Sequence, residues 1–227
     1  MNINEGKLLF EVRENIAFIT LNRPEVMNAM DPETYQKLSE AWIEVRDNPD
    51  IWVAVVTGSG EKAFSAGMDL KARAASNAHP DRSQGAGGFW QTQEAPILNR
   101  GLEVWKPIVA AVNGYCLAGG MTLLLATDLR IASEHATFSL AEVKRGILPG
   151  NGGTQRTIQQ LPYPTAMYML LTGDSIDAQE ALRVGLINKV VPKERLMEEA
   201  ELLAQKIRDN APLAVRAIKE LAVKGQY

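Results

Sequence analysis

Residues 113–130 read "NGYCLAGGMTLLLATDLR". Ala118, Gly119 and Gly120 stand between one apolar run, "PIVAAVNG" (107–114), and a second, "MTLLLATD" (121–128). The order is that of a strand, a tight turn and a buried helix, with the glycines where the helix begins. A helix start leaves backbone N–H groups unpaired and carries the positive end of the helix dipole. Glycine lets a ligand reach those groups with no side chain in the way. The local reading is a site for a negative charge or a polarised oxygen. The competing reading is that the glycines only allow close helix–strand packing.

Working outward, "IWVAVVTG" (51–58) and "DLRIAS" (128–133) are further strand-length apolar runs. Alternation of such runs with helices predicts an α/β unit whose strands are buried on both faces. "KLLFEVRENIAFITLN" (7–22) alternates across a short polar break and predicts a β-hairpin. In "MDPETYQKLSEAWIEVRDNPD" (30–50), Asp31 can cap, Pro32 suits the first turn, and Tyr35, Leu38, Trp42 and Val45 share a helix face. Residues 72–88 are polar and Gly-rich, so a loop is expected there. From Thr154 onward the pattern is helical, with a helix capped near Asp177, a short extended piece, and two amphipathic helices over 192–225. Leu196, Leu203, Ile207, Leu213 and Ile218 are expected in buried helix–helix or subunit contacts. The organisation is one α/β core, 1–190, followed by a helical region, 191–227.

Composition narrows the function classes. The 227 residues are 46% hydrophobic and 22% charged, with a net charge of -3. That balance speaks against a nucleic-acid footprint. No apolar run is long enough to cross a bilayer, and no secretory signal is visible at the start. The single cysteine, Cys116, fits a reducing compartment, so a cytoplasmic address is expected. His79 and His135 are the only histidines and have neither zinc-type spacing nor a G-x-S-x-G elbow nearby. Both are expected at the surface.

"EKAFSAGMDLKA" (61–72) contains a second small-residue turn, Ser65-Ala66-Gly67, that also opens a helical run. Two such turns supply two backbone N–H donors able to converge on one oxygen, which is the design of an oxyanion hole. In "FSLAEVKRGILPGNGGTQR" (138–156), Glu142 lies between apolar positions. Desolvation there would raise its pKa toward neutrality and fit it for general acid–base work. Read alone, a glutamate in this pattern is more often a helix-end residue or an ion-pair partner.

Taken together, "LNRPEVMNAM", "KAFSAGMDLK", "NGYCLAGGMTLLLATDLRIAS", "TFSLAEVKRGILPGNGGTQR" and "LTGDSIDAQEALRVGLINKVV" resemble, in order and spacing, the crotonase (enoyl-CoA hydratase/isomerase) superfamily from about Leu8 to Lys224. The resemblance implies a ββα-repeat spiral core and a helical C-terminal trimerisation region, commonly in a dimer of trimers. It implies a coenzyme A thioester as substrate, no permanently bound cofactor, and an enolate stabilised by the backbone N–H groups of Met68 and Gly119. By the same resemblance, Ala66, Asp69, Leu70 and Lys71 match positions around the CoA adenine and pantetheine. Glu25, Val26 and Met27 match a segment that also touches the CoA arm, and Met68 would line the acyl pocket. Lys71 and Arg23 are candidates for CoA phosphates or are plain surface charges.

Two departures stand out. Family hydratases with two catalytic glutamates carry one three residues after the oxyanion-hole glycine, where this chain has Thr122; the second is matched by Glu142. Thr122 can hydrogen-bond a water but is a poor base. Hydration of a 2-enoyl-CoA to a 3-hydroxyacyl-CoA is the leading expectation. A double-bond isomerase using one glutamate, and a non-catalytic CoA-thioester-binding member, are the alternatives. The family also continues for roughly thirty more residues beyond the position of "AVKGQY". The expectation is either a truncated chain or a differently built closure.

Overall fold

The computed structural model describes residues 5–72 and 96–225. The 72–88 loop, apart from Ala72, and His79 lie outside the described residues. Strands β1 (Leu8–Arg13) and β2 (Ile16–Leu21) form the expected hairpin, with Leu8 opposite Leu21. Helix α1 (Pro32–Asp47) starts at Asp31, whose carboxylate accepts from Thr34 N–H at 2.8 Å. That bond satisfies one of the unpaired donors of the first turn. Leu38, Trp42 and Val45 are buried along one face of α1. Burying each such side chain contributes about 1.5–3 kcal/mol.

After α1 the chain winds as a spiral. β3 (Val53–Gly58), β5 (Ile108–Val112), β7 (Leu129–Ser133) and β10 (Lys189–Val191) extend the hairpin into a six-stranded sheet ordered β1-β2-β3-β5-β7-β10. Every residue of β3 and β5 is buried, as their unbroken apolar runs require. Each turn of the spiral also gives one strand to a second sheet. β4 (Ala63–Ser65), β6 (Tyr115–Leu117), β8 (Thr137–Ser139) and β9 (Ile176–Asp177) pair there in that order.

The short helix α2 (Gly119–Leu124) follows β6. It stops earlier than the apolar run to Asp128 suggests, because Thr127 folds back and its hydroxyl donates to Leu124 O at 2.7 Å. α3 (Gly153–Gln160), α4 (Tyr163–Thr172) and α5 (Ala178–Arg183) come next, α5 capped by Asp177 as expected. α6 (Leu196–Arg208) and α7 (Pro212–Lys224) close the described chain.

The large sheet separates two apolar layers. One, containing Phe10, Trp42, Phe64 and Phe138, lies between the sheet, α1 and the small sheet. The other joins Phe18, Val55, Val109 and Ile131 to Leu196, Ala200 and Ala204 of α6, with Leu203 and Ile207 packed against it. Leu213 and Ile218 of α7 are 75% and 67% exposed. They are not buried within this chain, in contrast to Leu196.

Candidate active site

Three consecutive strands of the small sheet, β4, β6 and β8, run parallel, with Ser65 beside Cys116 and Leu117 beside Ser139. Their carboxyl ends therefore lie side by side. The three stretches singled out in the sequence leave from those ends: Ala66–Met68, Ala118–Gly119 and Leu140–Glu142. The crevice outside the carboxyl ends of parallel strands is where α/β folds place ligands.

The first two turns interlock. Gly67 has φ +87°, and a Cβ built on it would lie 2.6 Å from Gly119 N. Only glycine lets the two turns approach this closely. A Cβ built on Gly119 would stand 3.3 Å from Met68 N and 3.3 Å from Tyr35 Oη. The space above Gly119 is thus bordered by the backbone nitrogen of the other turn. No side chain of Gly119 stands between that space and Met68 N. Gly120 has a different reason to be small: a Cβ on it would collide with Ser65 O. Gly120 follows the packing reading, while Gly119 borders the space between the two turns.

The turns are held by buried polar groups. Ala118 N–H donates to Ser139 O at 2.9 Å, yet Ala118 has φ 49° and ψ -119°. A non-glycine residue there costs about 1–3 kcal/mol and persists only where its surroundings enforce it. Such strain gathers at functional sites. Ser65 Oγ donates to Asn28 O at 2.8 Å and accepts from Gly67 N–H at 3.1 Å. Asn28, 1% exposed with φ 54°, donates through Nδ2 to Ser59 O and Ala63 O. Neither Asn28 nor Ser65 was singled out for this work in the sequence; an asparagine in the left-handed region after Arg-Pro-x-x-Met was the available signal.

The segment Glu25–Met27 is brought against Ala66–Lys71. Ala66 N–H donates to Met27 O, Met30 N–H to Gly67 O, and Asp69 N–H to Met30 O, at 2.9, 2.7 and 2.9 Å. Glu25, Val26, Met27, Leu70 and Lys71 are exposed along this seam, and Ala66 is half-buried. Asp69 faces inward. Its carboxylate accepts from Ala72 N–H at 3.0 Å and pairs with Arg23 at 3.0 Å, and these contacts hold its pKa below the usual range. Arg23 also donates to Ala29 O at 2.6 Å, so it is neither a plain surface charge nor presented outward.

Glu142 sits in a 3-10 turn, Ala141–Arg145, directly after β8. It is 8% exposed, and its Oε2 has no hydrogen-bond partner among the described residues. Burial pushes its pKa up, with its own backbone N–H opposing only in part. A buried carboxylate oxygen without a partner is costly, and such a carboxylate is the kind of group that does chemistry. Thr122, 2% exposed, lies one turn into α2, its hydroxyl donating to Ala118 O at 3.3 Å. A Cβ built on Gly153 would lie 2.9 Å from Thr122 Oγ1, so the start of α3 covers it.

Elsewhere, Cys116 is fully buried, and burial raises its thiol well above the ordinary range. His135 is exposed, with Nε2 3.2 Å from Asn113 O. Among the described residues no helix is long and apolar enough to cross a membrane. A hollow of about 780 Å³ lined by Asp128, Arg156 and Lys219 contains none of the three turns.

The chain is similar to known proteins over most of its length. The family model described as enoyl-CoA hydratase/isomerase matches residues 11–226. The (E)-benzylidenesuccinyl-CoA hydratase of Thauera aromatica is 46% identical over 216 residues, 95% of this chain and 82% of the relative. The carnitinyl-CoA dehydratase of Citrobacter koseri is 45% identical over 203 residues, 89% of this chain and 75% of the relative. Among solved structures, a carnitinyl-CoA hydratase from Mycobacterium avium superposes with a TM-score of 0.84 at 41% identity, over 96% of this chain and 81% of that one. An enoyl-CoA hydratase from Bacillus anthracis gives 0.86 at 35% identity, over 97% and 83%. With its spiral of paired strands and its two interlocked turns, the chain belongs to the enoyl-CoA hydratase/isomerase family of the crotonase superfamily.

Proposed function

We propose that the protein adds water to a 2-enoyl-CoA thioester to give a 3-hydroxyacyl-CoA, and catalyses the reverse dehydration. The observation that carries this reading is the close approach of the Met68 and Gly119 turns, at strand ends next to the one that leads into the turn of Glu142, whose buried Oε2 has no partner among the described residues. The thioester oxygen accepts from the N–H groups of Met68 and Gly119. The C2=C3 electron pair then moves toward that oxygen as water attacks C3. Glu142 takes a proton from the water and returns one to C2, so the net change is the addition of one water. One donor of this kind supplies about 2.7–4 kcal/mol to the transition state. The exposed seam of Glu25–Met27 with Ala66, Leu70 and Lys71 carries the CoA arm, and Asp69 fixes that seam through Arg23. Met68 and Thr122 line the acyl side. The assembly is a homotrimer or dimer of trimers, in the cytoplasm.

Thr122 favours a second reading. A hydroxyl already bonded to Ala118 O orients water but does not deprotonate it, and double-bond isomerisation needs only one carboxylate. A panel of short, branched and aryl enoyl-CoAs, including (E)-benzylidenesuccinyl-CoA, separates the two in ¹⁸O-labelled water. The expected result is a product carrying ¹⁸O, with Thr122→Val slowing its formation about tenfold or more while deuterium exchange at C2 continues. A product that is only a shifted double bond, free of ¹⁸O, makes the protein an isomerase.

A further inference from the structure

The space bordered by Gly119 and Met68 has a third side. A Cβ built on Gly119 would meet Tyr35 Oη at 3.3 Å, the same separation as from Met68 N. Tyr35 lies in the first turn of α1, its N–H donating to Asp31 O at 3.0 Å. Its ring is half-buried and packed against the main core, so the hydroxyl is delivered from a fixed ring. The start of α1 is in turn tied to the Met68 turn: Met30 bonds Gly67 O and receives Asp69 N–H, while Arg23 lies 3.0 Å from Asp69 and 3.6 Å from Asp31. The hydroxyl and the two peptide nitrogens therefore belong to one rigid unit, built from α1, the β4 turn and the β6 turn.

Building on the hydratase reading above, we propose that Tyr35 is a catalytic residue, its hydroxyl serving as a third hydrogen-bond donor to the thioester oxygen beside Met68 and Gly119. A donor held in place before reaction stabilises the charge that develops on that oxygen without reorganising during the step. It also suits a site with one carboxylate. With Thr122 in place of a second acid or base, more of the barrier falls to stabilising the enolate.

The test uses the full chain and a chromophoric aryl thioester, cinnamoyl-CoA, whose absorption shifts to the red as its carbonyl is polarised. The shift is read in Glu142→Gln, which does not consume the probe, and in Glu142→Gln/Tyr35→Phe. Turnover is read in Tyr35→Phe alone. Phenylalanine keeps the ring and its packing and removes only the hydroxyl. The expected result is a smaller red shift and a kcat lower by about 10- to 100-fold, below the loss for a backbone donor, with the Kd for the thioester changed less than about threefold. An unchanged red shift overturns the proposal, whether kcat is retained or falls together with Tm as for a packing residue. A red shift absent already in Glu142→Gln shows that the site does not polarise the carbonyl and overturns the hydratase reading and the role of Tyr35 together. A red shift lost only with the tyrosine hydroxyl leaves that reading standing and establishes the third donor.

Discussion

A buried carboxylate with one oxygen lacking a partner among the described residues costs stability, and Glu142 is that group here. Its pKa is raised in the folded chain by burial, so the fold prefers it protonated. The stability this gives is fully present at low pH and is lost as pH rises from the ordinary glutamate range through the folded pKa. Glu142→Gln removes the charge and keeps the shape. Its Tm should exceed that of the parent at pH 7–8, and the difference should vanish near pH 4, as scanning calorimetry at both pH values would show. Turnover should fall by about two to four orders of magnitude. The acid limb of the parent's pH–rate profile should lie above the ordinary glutamate range and be missing in the variant's residual rate. A full rate in Glu142→Gln would remove it from the mechanism. The sequence pointed to this residue through its apolar neighbours, and only half of that reasoning holds. Leu140 is fully buried, but Val143 is 41% exposed. The turn that carries Glu142 packs against α4, and Glu142 is its buried residue.

Among elements, the two interlocked turns make opposite predictions for the same small substitution. Gly119→Ala places a methyl 3.3 Å from Met68 N, Gly67 Cα and Tyr35 Oη, a tight fit but a looser one than at Gly67. That methyl occupies the space proposed for the thioester oxygen, so kcat should drop by about 10²–10³ with Tm lowered less than in Gly67→Ala. Gly67→Ala puts its methyl 2.6 Å from Gly119 N at φ +87°. This should destabilise the chain by about 2–4 kcal/mol, combining overpacking with a left-handed L residue, as urea unfolding would measure. Equal effects of the two substitutions on stability would contradict the interlock. The hairpin, α1 with its Asp31 cap, the three long buried strands and the C-terminal helices were legible because each carries a full period of pattern or a cap. Strands β4, β6 and β8 were not. Three residues are too few to show a two-residue alternation, and their pairing depends on partners some 20–50 positions away. The site residues could thus be singled out one by one, while the reason they meet, three adjacent strand ends, exists only in the folded chain. Tyr35 is the clearest case: it reads as one more apolar position on a helix face, and its hydroxyl acquires meaning only beside Gly119.

At the scale of the whole molecule, α6 and α7 are built alike in sequence and differ in what they bury. Leu196, Ala200 and Ala204 of α6 fill the second layer under the large sheet. α7 is anchored mainly by polar groups, with Lys219 bonded to Asp128 at 2.7 Å and to Lys106 O at 2.9 Å and Lys224 5.1 Å from the Trp105 ring. Its apolar residues Leu213, Ile218 and Leu221 are 75%, 67% and 73% exposed. An amphipathic helix held by its polar side and showing its leucines outward is arranged for a further contact, and a copy of the same chain is the occupant that the family resemblance supplies. Multi-angle light scattering should give three or six times the chain mass. The pair Leu213→Glu/Leu221→Glu, placed on residues that support nothing within the chain, should lower that mass while far-UV circular dichroism stays the same. A monomeric parent, or an assembly indifferent to both glutamates, would mean that α7 is not the contact. The effect on catalysis distinguishes assembly from site building: the three turns belong to one chain, so a folded monomeric variant should keep kcat within about tenfold, whereas a complete loss would show that a neighbouring copy completes the crevice.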